Sequence, residues 1–352
     1  MKKVAVIEGG YSKEKAISIK SAKTVFDNLD RTKFDPTRVL IDENEWTAYD
    51  EEGRYSIDKN DFSYTKNGSK HNFEYAFIVI HGTPGEDGKL QGYLDMVGVP
   101  YNTSSGAITA LTFQKFHCNQ FLKNFGINVP KAVLIKPEDI IDEEKTLKKV
   151  GLTCFVKPTD GGSSFGVSKV KKESEFLPAI KEAFNHGSEV IVEENIVGRE
   201  VTCGIYRNSR GIKALPITEI ISENEYFDYD AKYNGKSKEI TPAELSEEIT
   251  NKIKALTKKI YGILGMKGIV RMDYIINNDG TPFLIEINSV PGMSKESIIP
   301  QMAKVDNIEL SLMFWINKIQ NINYFINRAI IVFGDSINDL QKYFKKVKYS
   351  FE

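Results

Sequence analysis

Four apolar residues in a row, Val4 to Ile7, run into Gly9, Gly10 and a polar loop, after which Ile19, Ala22, Val25, Phe26 and Leu29 recur at helical spacing. That order predicts a buried strand, a loop and a helix, the opening unit of a parallel sheet. A second apolar run, Tyr75 to Ile80, leads directly into the loop HGTPGEDG at 81–88. In open α/β sheets, loops at the carboxyl ends of such strands line the ligand crevice. A helical pattern covers Thr109 to Phe125, Pro130 interrupts the chain beyond it, and short strands are predicted at Phe155 to Lys157 and Val190 to Glu193. Leu245, Ile249, Ile253, Leu256 and Ile260 mark one face of a helix from Leu245 to Leu264. Two segments rich in β-formers, 269–276 and 283–288, flank the turn pair Asp279-Gly280 and predict a hairpin.

These elements divide into an N-terminal α/β domain over 1–100, a central subdomain over 101–187, a C-terminal domain over 188–320 and an extension of unassigned role over 321–352. A chain of 352 residues, 41% hydrophobic and 27% charged, has the balance of an ordinary globular protein and shows no internal repeat. Its formal net charge of -1 gives no general attraction for nucleic acid or acidic membranes, so an anionic ligand must be held by a local cluster. Cys118, Cys154 and Cys203 are far apart, without CxxC or histidine neighbours at metal spacing, so neither a disulfide framework nor a zinc site is expected. A reducing cytoplasm fits that usage. The apolar run after the opening lysines ends too soon for a signal peptide, and no segment approaches membrane-spanning length.

The hairpin carries the most arguable chemistry. A two-residue turn sets Asp273 opposite Glu286 and Arg271 opposite Asn288, all on one side of the ribbon. Opposed carboxylates repel and call for a cation. Mg²⁺, hard and oxygen-seeking, is the natural one, unless the pair is simply a solvated surface feature. Lys157 followed by GGSSFG at 161–166 forms a phosphate nest, or else an ordinary turn. It is not a Walker loop, lacking GK[ST], nor a Rossmann fingerprint, since no helix opens there. FDYDAKY at 227–233, entering a polar stretch to Glu244, reads as a lid in which Lys232 reaches a terminal phosphate and Tyr233 closes over a substrate, or else as a disordered surface loop. Glu14, in the first strand-end loop, is the counter-charge for a substrate ammonium, and His81 is a hydrogen-bond donor or a structural histidine.

GGYSKEKAIS, HGTPGEDGKLQGYLDMVGVPY, FVKPTDGGSSFGVSKV, FDYDAKY, RMDYI and EINSVPGMSKES, in this order, resemble D-alanine:D-alanine ligases of the ATP-grasp superfamily over residues 3 to 318. The resemblance implies an α/β fold, α+β in the nucleotide-binding part, in a three-domain ATP-grasp architecture with an N-terminal parallel-sheet domain. It implies ATP and Mg²⁺, or Mn²⁺ in its place, and the joining of two D-alanines through a D-alanyl phosphate for peptidoglycan precursor synthesis in the cytoplasm. Lys115, Lys157, Glu193, Ile196 and Glu200 match ATP-holding positions, with Glu200 at the ribose hydroxyls and 193–196 at the adenine edge. Lys232 matches the γ-phosphate lysine, and Asp273, Glu286 and Asn288 match the magnesium ligands. Glu14, Ser163 and Tyr233 match a trio that closes over the first D-alanine, with His81 beside it. Arg271 and the Gly292 backbone match the oxyanion donors, and Ser297 matches the serine that receives the second D-alanine's carboxylate.

Tyrosine at 233 accompanies an amine acceptor in the family, which favours D-alanine at both positions. D-serine as acceptor, or a nucleotide-binding paralogue without catalysis, are the alternatives. Family members are commonly dimers, although no dimer signature stands in this sequence. Departures from the pattern are TFQK at 112–115 for the more usual MDK, Asn195 at a place often aromatic, and Val290 where a small or hydroxyl residue is common. In the extension, IIVFGDSINDL resembles the acidic motif of haloacid-dehalogenase phosphatases, but no DxD follows a buried strand. A surface strand, turn and helix is the simpler expectation there.

Overall fold

The computed structural model describes residues 1–160, 166–208, 211–222 and 237–311. The first sheet is built from β1 (Lys2–Gly9), β2 (Phe34–Ile41), β3 (Trp46–Tyr49), β4 (Arg54–Asp58), β5 (Ser63–Lys66), β6 (Ser69–His71) and β7 (Tyr75–Ile78), in the order β6-β5-β4-β3-β2-β1-β7. β1 lies between β2 and β7 and runs parallel to both. The pairings from β2 outward to β6 are antiparallel, so a meander extends the parallel part that the apolar runs predict.

The unbroken apolar run of β1 follows from burial on both faces. Val4 and Val6 pack with Ala22 and Val25 of α1 (Lys15–Asn28). Ala5 and Ile7 point the other way, toward Leu90 and Leu94 of α2 (Lys89–Met96). The α1 side continues into Leu215, Ile299 and Met302, much further along the chain. Each such buried aliphatic side chain is worth about 1.5–3 kcal/mol. This shared core presses the carboxyl ends of β1 and β7 against the segment after the hairpin.

The helix expected over 109–125 is two helices, α3 (Gly106–Phe113) and α4 (Lys115–Lys123). The backbone leaves helical geometry at Gln114, which bridges to Asp160. The break places Lys115 in the first turn of α4.

The second sheet, in the order β10-β9-β11-β8, contains β8 (Ala132–Ile135), β9 (Cys154–Pro158), β10 (Ser168–Val170) and β11 (Val190–Glu194). It therefore extends past the expected limit at 187. α5 (Glu143–Val150), capped by the Asp142 carboxylate on the Lys145 N–H at 2.9 Å, and α6 (Phe176–Phe184) pack with it.

The third sheet comprises β12 (Gly198–Asn208), β13 (Gly211–Ser222), β14 (Ser237–Ile240), β15 (Val270–Asn277) and β16 (Pro282–Asn288), in the order β14-β13-β12-β15-β16. α7 (Glu247–Ile263) starts at Ser246, whose hydroxyl accepts the Ile249 N–H, and carries Glu247 and Glu248 where the helix dipole favours anions. Its Ile253, Ile260 and Tyr261 bury against Met272 and Tyr274 of β15. α8 (Ile298–Val305) supplies Ile299 and Met302 to the shared core. Among the described residues, no helix is long and apolar enough to cross a membrane.

Candidate active site

In the hairpin, Arg271 pairs with Asn288, Met272 with Ile287 and Asp273 with Glu286, as expected. The route to that register differs. The Asn277 N–H donates to the Thr281 carbonyl at 3.0 Å, so the loop is Asn278 to Gly280, three residues, with Gly280 at φ 73°. Beyond the turn, Tyr274 pairs with Leu284, and the register shifts before Asp273. Ile285 is the extra residue of a β-bulge that returns Glu286 to Asp273's side. The two-residue turn is thus corrected to a three-residue turn with a compensating bulge.

Each carboxylate meets a cation from the chain itself. Arg271 donates two hydrogen bonds to Asp273, 2.9 Å each, in the forked geometry available only to a guanidinium. Thr202 of β12, directly across the ladder, donates its hydroxyl to Asp273 at 2.5 Å. Lys115 Nζ stands 3.4 Å from the Glu286 carboxylate. The Asn288 amide, assigned the orientation that satisfies both of its ends, bridges neighbours: its oxygen then accepts from Arg271 at 3.2 Å and its nitrogen donates to Glu86 at 2.9 Å. Two carboxylates and one amide oxygen on a single face suit a hard cation by donor type. Among the described residues, no cluster of three or more His, Cys, Asp or Glu offers another metal site.

The second sheet faces this hairpin with Lys157 of β9 and Glu193 of the adjoining β11, joined at 2.5 Å with both side chains largely buried. Burial works against the Lys157 ammonium, but the charges of Glu193, Glu286 and Glu200 outweigh it and hold its pKa above the usual lysine value. The other Glu193 oxygen is buried with no hydrogen-bond partner. A buried acceptor left this way is costly unless a ligand supplies a donor, and an amino group on a nucleobase has that character. Ile196 lies in the connection from β11 to β12, and Glu200 stands on β12.

The first sheet contributes its strand-end loops. Ser12 donates to the His81 carbonyl at 2.8 Å and accepts the Glu14 N–H at 3.2 Å, tying the two loops together. Gly82, at φ 72°, has no room for a side chain: a Cβ there would stand 2.8 Å from Ser12 Cβ. Glu86 is half-buried, accepts the Gly82 N–H at 2.7 Å, and has its pKa pushed up to about 8 by desolvation and by the charge of Glu14. A cleft of about 320 Å³ opens here, lined by Ser12, Glu14, Gly82, Phe113, Asp160 and His186.

His81 is expected beside the substrate, but protein atoms face both of its ring nitrogens. Nδ1 is 2.8 Å from the Val290 carbonyl, which only accepts, so Nδ1 carries the proton. Nε2 faces Ser21 Oγ at 3.5 Å, and the same hydroxyl accepts the Met293 N–H at 3.1 Å. Burial lowers the His81 pKa, against the opposing charge of Glu14. The histidine thus clasps the segment containing Gly292. A Cβ at 292 would stand 2.8 Å from Ser297 Oγ, so only glycine keeps that serine, the N-cap of α8, in place.

The structure brings Lys115, Lys157, Glu193, Arg271, Asp273, Glu286 and Asn288 together, with Glu14, His81, Gly292 and Ser297 on the first-sheet side. Ser163, Lys232, Tyr233 and the extension at 321–352 lie outside the described residues. Sequence reading missed Glu86, Thr202 and Ser21. Glu86 was signalled only as an acid within a glycine-rich strand-end loop. Thr202 and Ser21 look like any hydroxyl in a strand or helix.

Family models described as D-ala D-ala ligase N-terminus and D-ala D-ala ligase C-terminus match residues 3–104 and 121–315. A D-alanine–D-alanine ligase of Parabacteroides distasonis is 48% identical over 311 residues, 88% of this chain and 94% of the relative. One from Porphyromonas gingivalis is 46% identical over 309 residues, 87% of this chain and 94% of its own. Among solved structures, a D-Ala:D-Ser ligase from Enterococcus faecalis superimposes with TM-score 0.79 at 31% identity, covering 90% of this chain and 98% of that one. A D-alanine–D-alanine ligase from Bacillus anthracis complexed with ATP gives 0.75 at 25% identity, covering 93% and 100%.

Proposed function

This chain belongs to the D-alanine–D-alanine ligase family, and on that premise we propose that it joins two D-alanines, with ATP converted to ADP and phosphate, for cell-wall precursor synthesis. The observation that carries the reading is the convergence of Lys115, Lys157 and Arg271 on the Asp273, Glu286 and Asn288 face of the hairpin. Three cations around two carboxylates suit a polyphosphate with its metal ion better than a solvated surface.

A carboxylate is a poor electrophile. ATP, when bound, supplies the phosphoryl group that makes the first D-alanine's carboxylate an acyl phosphate, with ADP leaving. In our reading Lys115 and Lys157 neutralise phosphate charge, and Asp273, Glu286 and Asn288 would hold Mg²⁺, which neutralises more. Glu193, with its unpartnered buried oxygen, takes the nucleobase edge, Ile196 lies beside it, and Glu200 takes the ribose hydroxyls. Glu14 holds the first D-alanine's ammonium. The amine of the second D-alanine attacks the acyl carbon and phosphate leaves.

The oxyanion of that step is met by Arg271 and the Gly292 N–H, a type of donor worth roughly 3 kcal/mol each. Ser297 receives the second carboxylate, and His81 acts through the protein by holding the 290–293 segment. Ser163, Lys232 and Tyr233 keep their proposed roles at the first D-alanine and the γ-phosphate. Phosphate release by the purified protein should require both D-alanine and Mg²⁺. Release with neither D-alanine nor any other D-amino acid present would overturn the proposal.

A further inference from the structure

β16 is the outer strand of the third sheet, and its outer edge is covered by α4 and the loop after that helix. The Leu284 N–H donates to the Asn128 carbonyl at 2.9 Å. The Asn119 amide donates to the Ile285 carbonyl at 3.0 Å, and Asn119 is only 3% exposed. In an unbroken strand, the N–H and C=O of one residue point to the same edge and those of the next residue to the opposite edge. An outward N–H at Leu284 followed by an outward carbonyl at Ile285 marks the step where the ladder slips.

That slip decides which side chain joins the site. Without it, the three-residue turn would place Ile285 opposite Asp273 and turn Glu286 to the other face. The carbonyl released by the bulge is partly buried against α4 and needs a donor that the ladder no longer supplies. α4 provides one from Asn119, one turn after Lys115, whose ammonium stands 3.4 Å from Glu286. Residues four apart share a helix face, so one face of α4 grips the bulge at two successive residues.

We infer that Asn119 is a positioning residue of the hairpin: its amide holds the Ile285 carbonyl and so fixes Glu286 opposite Asp273 and beside Lys115. The inference rests on the reading of Glu286 as a ligand of Mg²⁺. Thr202 orients the Asp273 carboxylate directly from the inner side of the same hairpin, whereas Asn119 acts on Glu286 from the outer side through the backbone of Ile285. Groups that orient metal ligands in this way typically change metal affinity 10- to 100-fold when removed.

The test uses the full chain with Asn119→Leu, which keeps the side-chain shape but has no donor, and Asn119→Ala, with Glu286→Gln alongside. Mn²⁺ binding in the presence of ADP, followed by electron paramagnetic resonance, should weaken about 10-fold or more in both Asn119 variants. Hydrogen exchange should quicken in the peptide covering 282–288, while KM for D-alanine stays within about twofold and the Mg²⁺ requirement of turnover rises. A lower thermal midpoint with unchanged Mn²⁺ binding in Asn119→Leu would overturn the inference, since a merely structural role predicts that result. Should Glu286→Gln bind Mn²⁺ as the parent does, the metal reading fails and the inference with it. Weakened binding in Glu286→Gln alone removes only Asn119.

Discussion

Arg271 lies against the carboxylate of Asp273 with two hydrogen bonds of 2.9 Å, and the same guanidinium donates to the Asn288 amide oxygen at 3.2 Å. One planar group therefore orients two proposed metal ligands while facing the place where the oxyanion would form. Lysine keeps the charge but lacks the fork. Arg271→Lys should lower kcat about 100-fold, with KM for ATP within a few-fold, in an assay of ADP release. Activity close to that of the parent would remove Arg271 from both roles.

Glu193→Gln tests the nucleotide side. The substitution takes away the charge nearest the Lys157 ammonium and replaces the buried acceptor pair with a mixed donor and acceptor. A raised KM for ATP, about 10-fold, with little change in kcat is expected, because ground-state binding is what the pair provides. A fall in kcat at constant KM would place Glu193 in the chemistry instead.

Gly292→Ala adds a Cβ that would stand 2.8 Å from Ser297 Oγ, so the serine must move. Steady-state kinetics that separate the two D-alanine sites should show weaker binding of the acceptor, about 10-fold or more. KM for ATP should hold. Equal effects on both D-alanine sites would place the damage in the general fold.

His81 gives a pH prediction. Its folded pKa is depressed by burial, so the unfolded chain binds the proton more readily. The contribution of neutral His81 to stability is present above its ordinary value near 6.5 and is lost as pH falls through the depressed folded value. His81→Asn retains a donor for the Val290 carbonyl but does not titrate. The thermal midpoint of the parent minus that of His81→Asn should therefore shrink as pH is lowered from about 7.5 to about 5. A difference that stays constant with pH would show that His81 is not held neutral.

Much of this site was legible because its chemistry sits at element ends that short patterns mark. Alternation on either side of Asp279-Gly280 located the hairpin and put Asp273 opposite Glu286. The turn length was not legible: Asn277 Oδ1 accepts the N–H of both Asp279, at 3.1 Å, and Thr281, at 2.8 Å, and those bonds draw a third residue into the loop. Two deviations, the longer turn and the bulge at Ile285, cancel in register, so the right pairing came from a turn that is not there.

The meander from β3 to β6 left little trace in the sequence because its strands are only three to five residues long, too short to establish an alternation, and those from β4 on carry charges that blur it further. Glu86 was hidden for a different reason. A half-buried acid cannot be told from a solvated one until the loop around Gly82 closes against it.

The central claim is tested most directly by the mass of the product formed when the purified chain, ATP and Mg²⁺ meet D-alanine, D-serine and D-lactate in competition. The account predicts D-alanyl-D-alanine as the main product, with ADP and phosphate released in equal amounts. A product in which D-serine or D-lactate is the principal acceptor, or nucleotide bound without any condensed product, would contradict it.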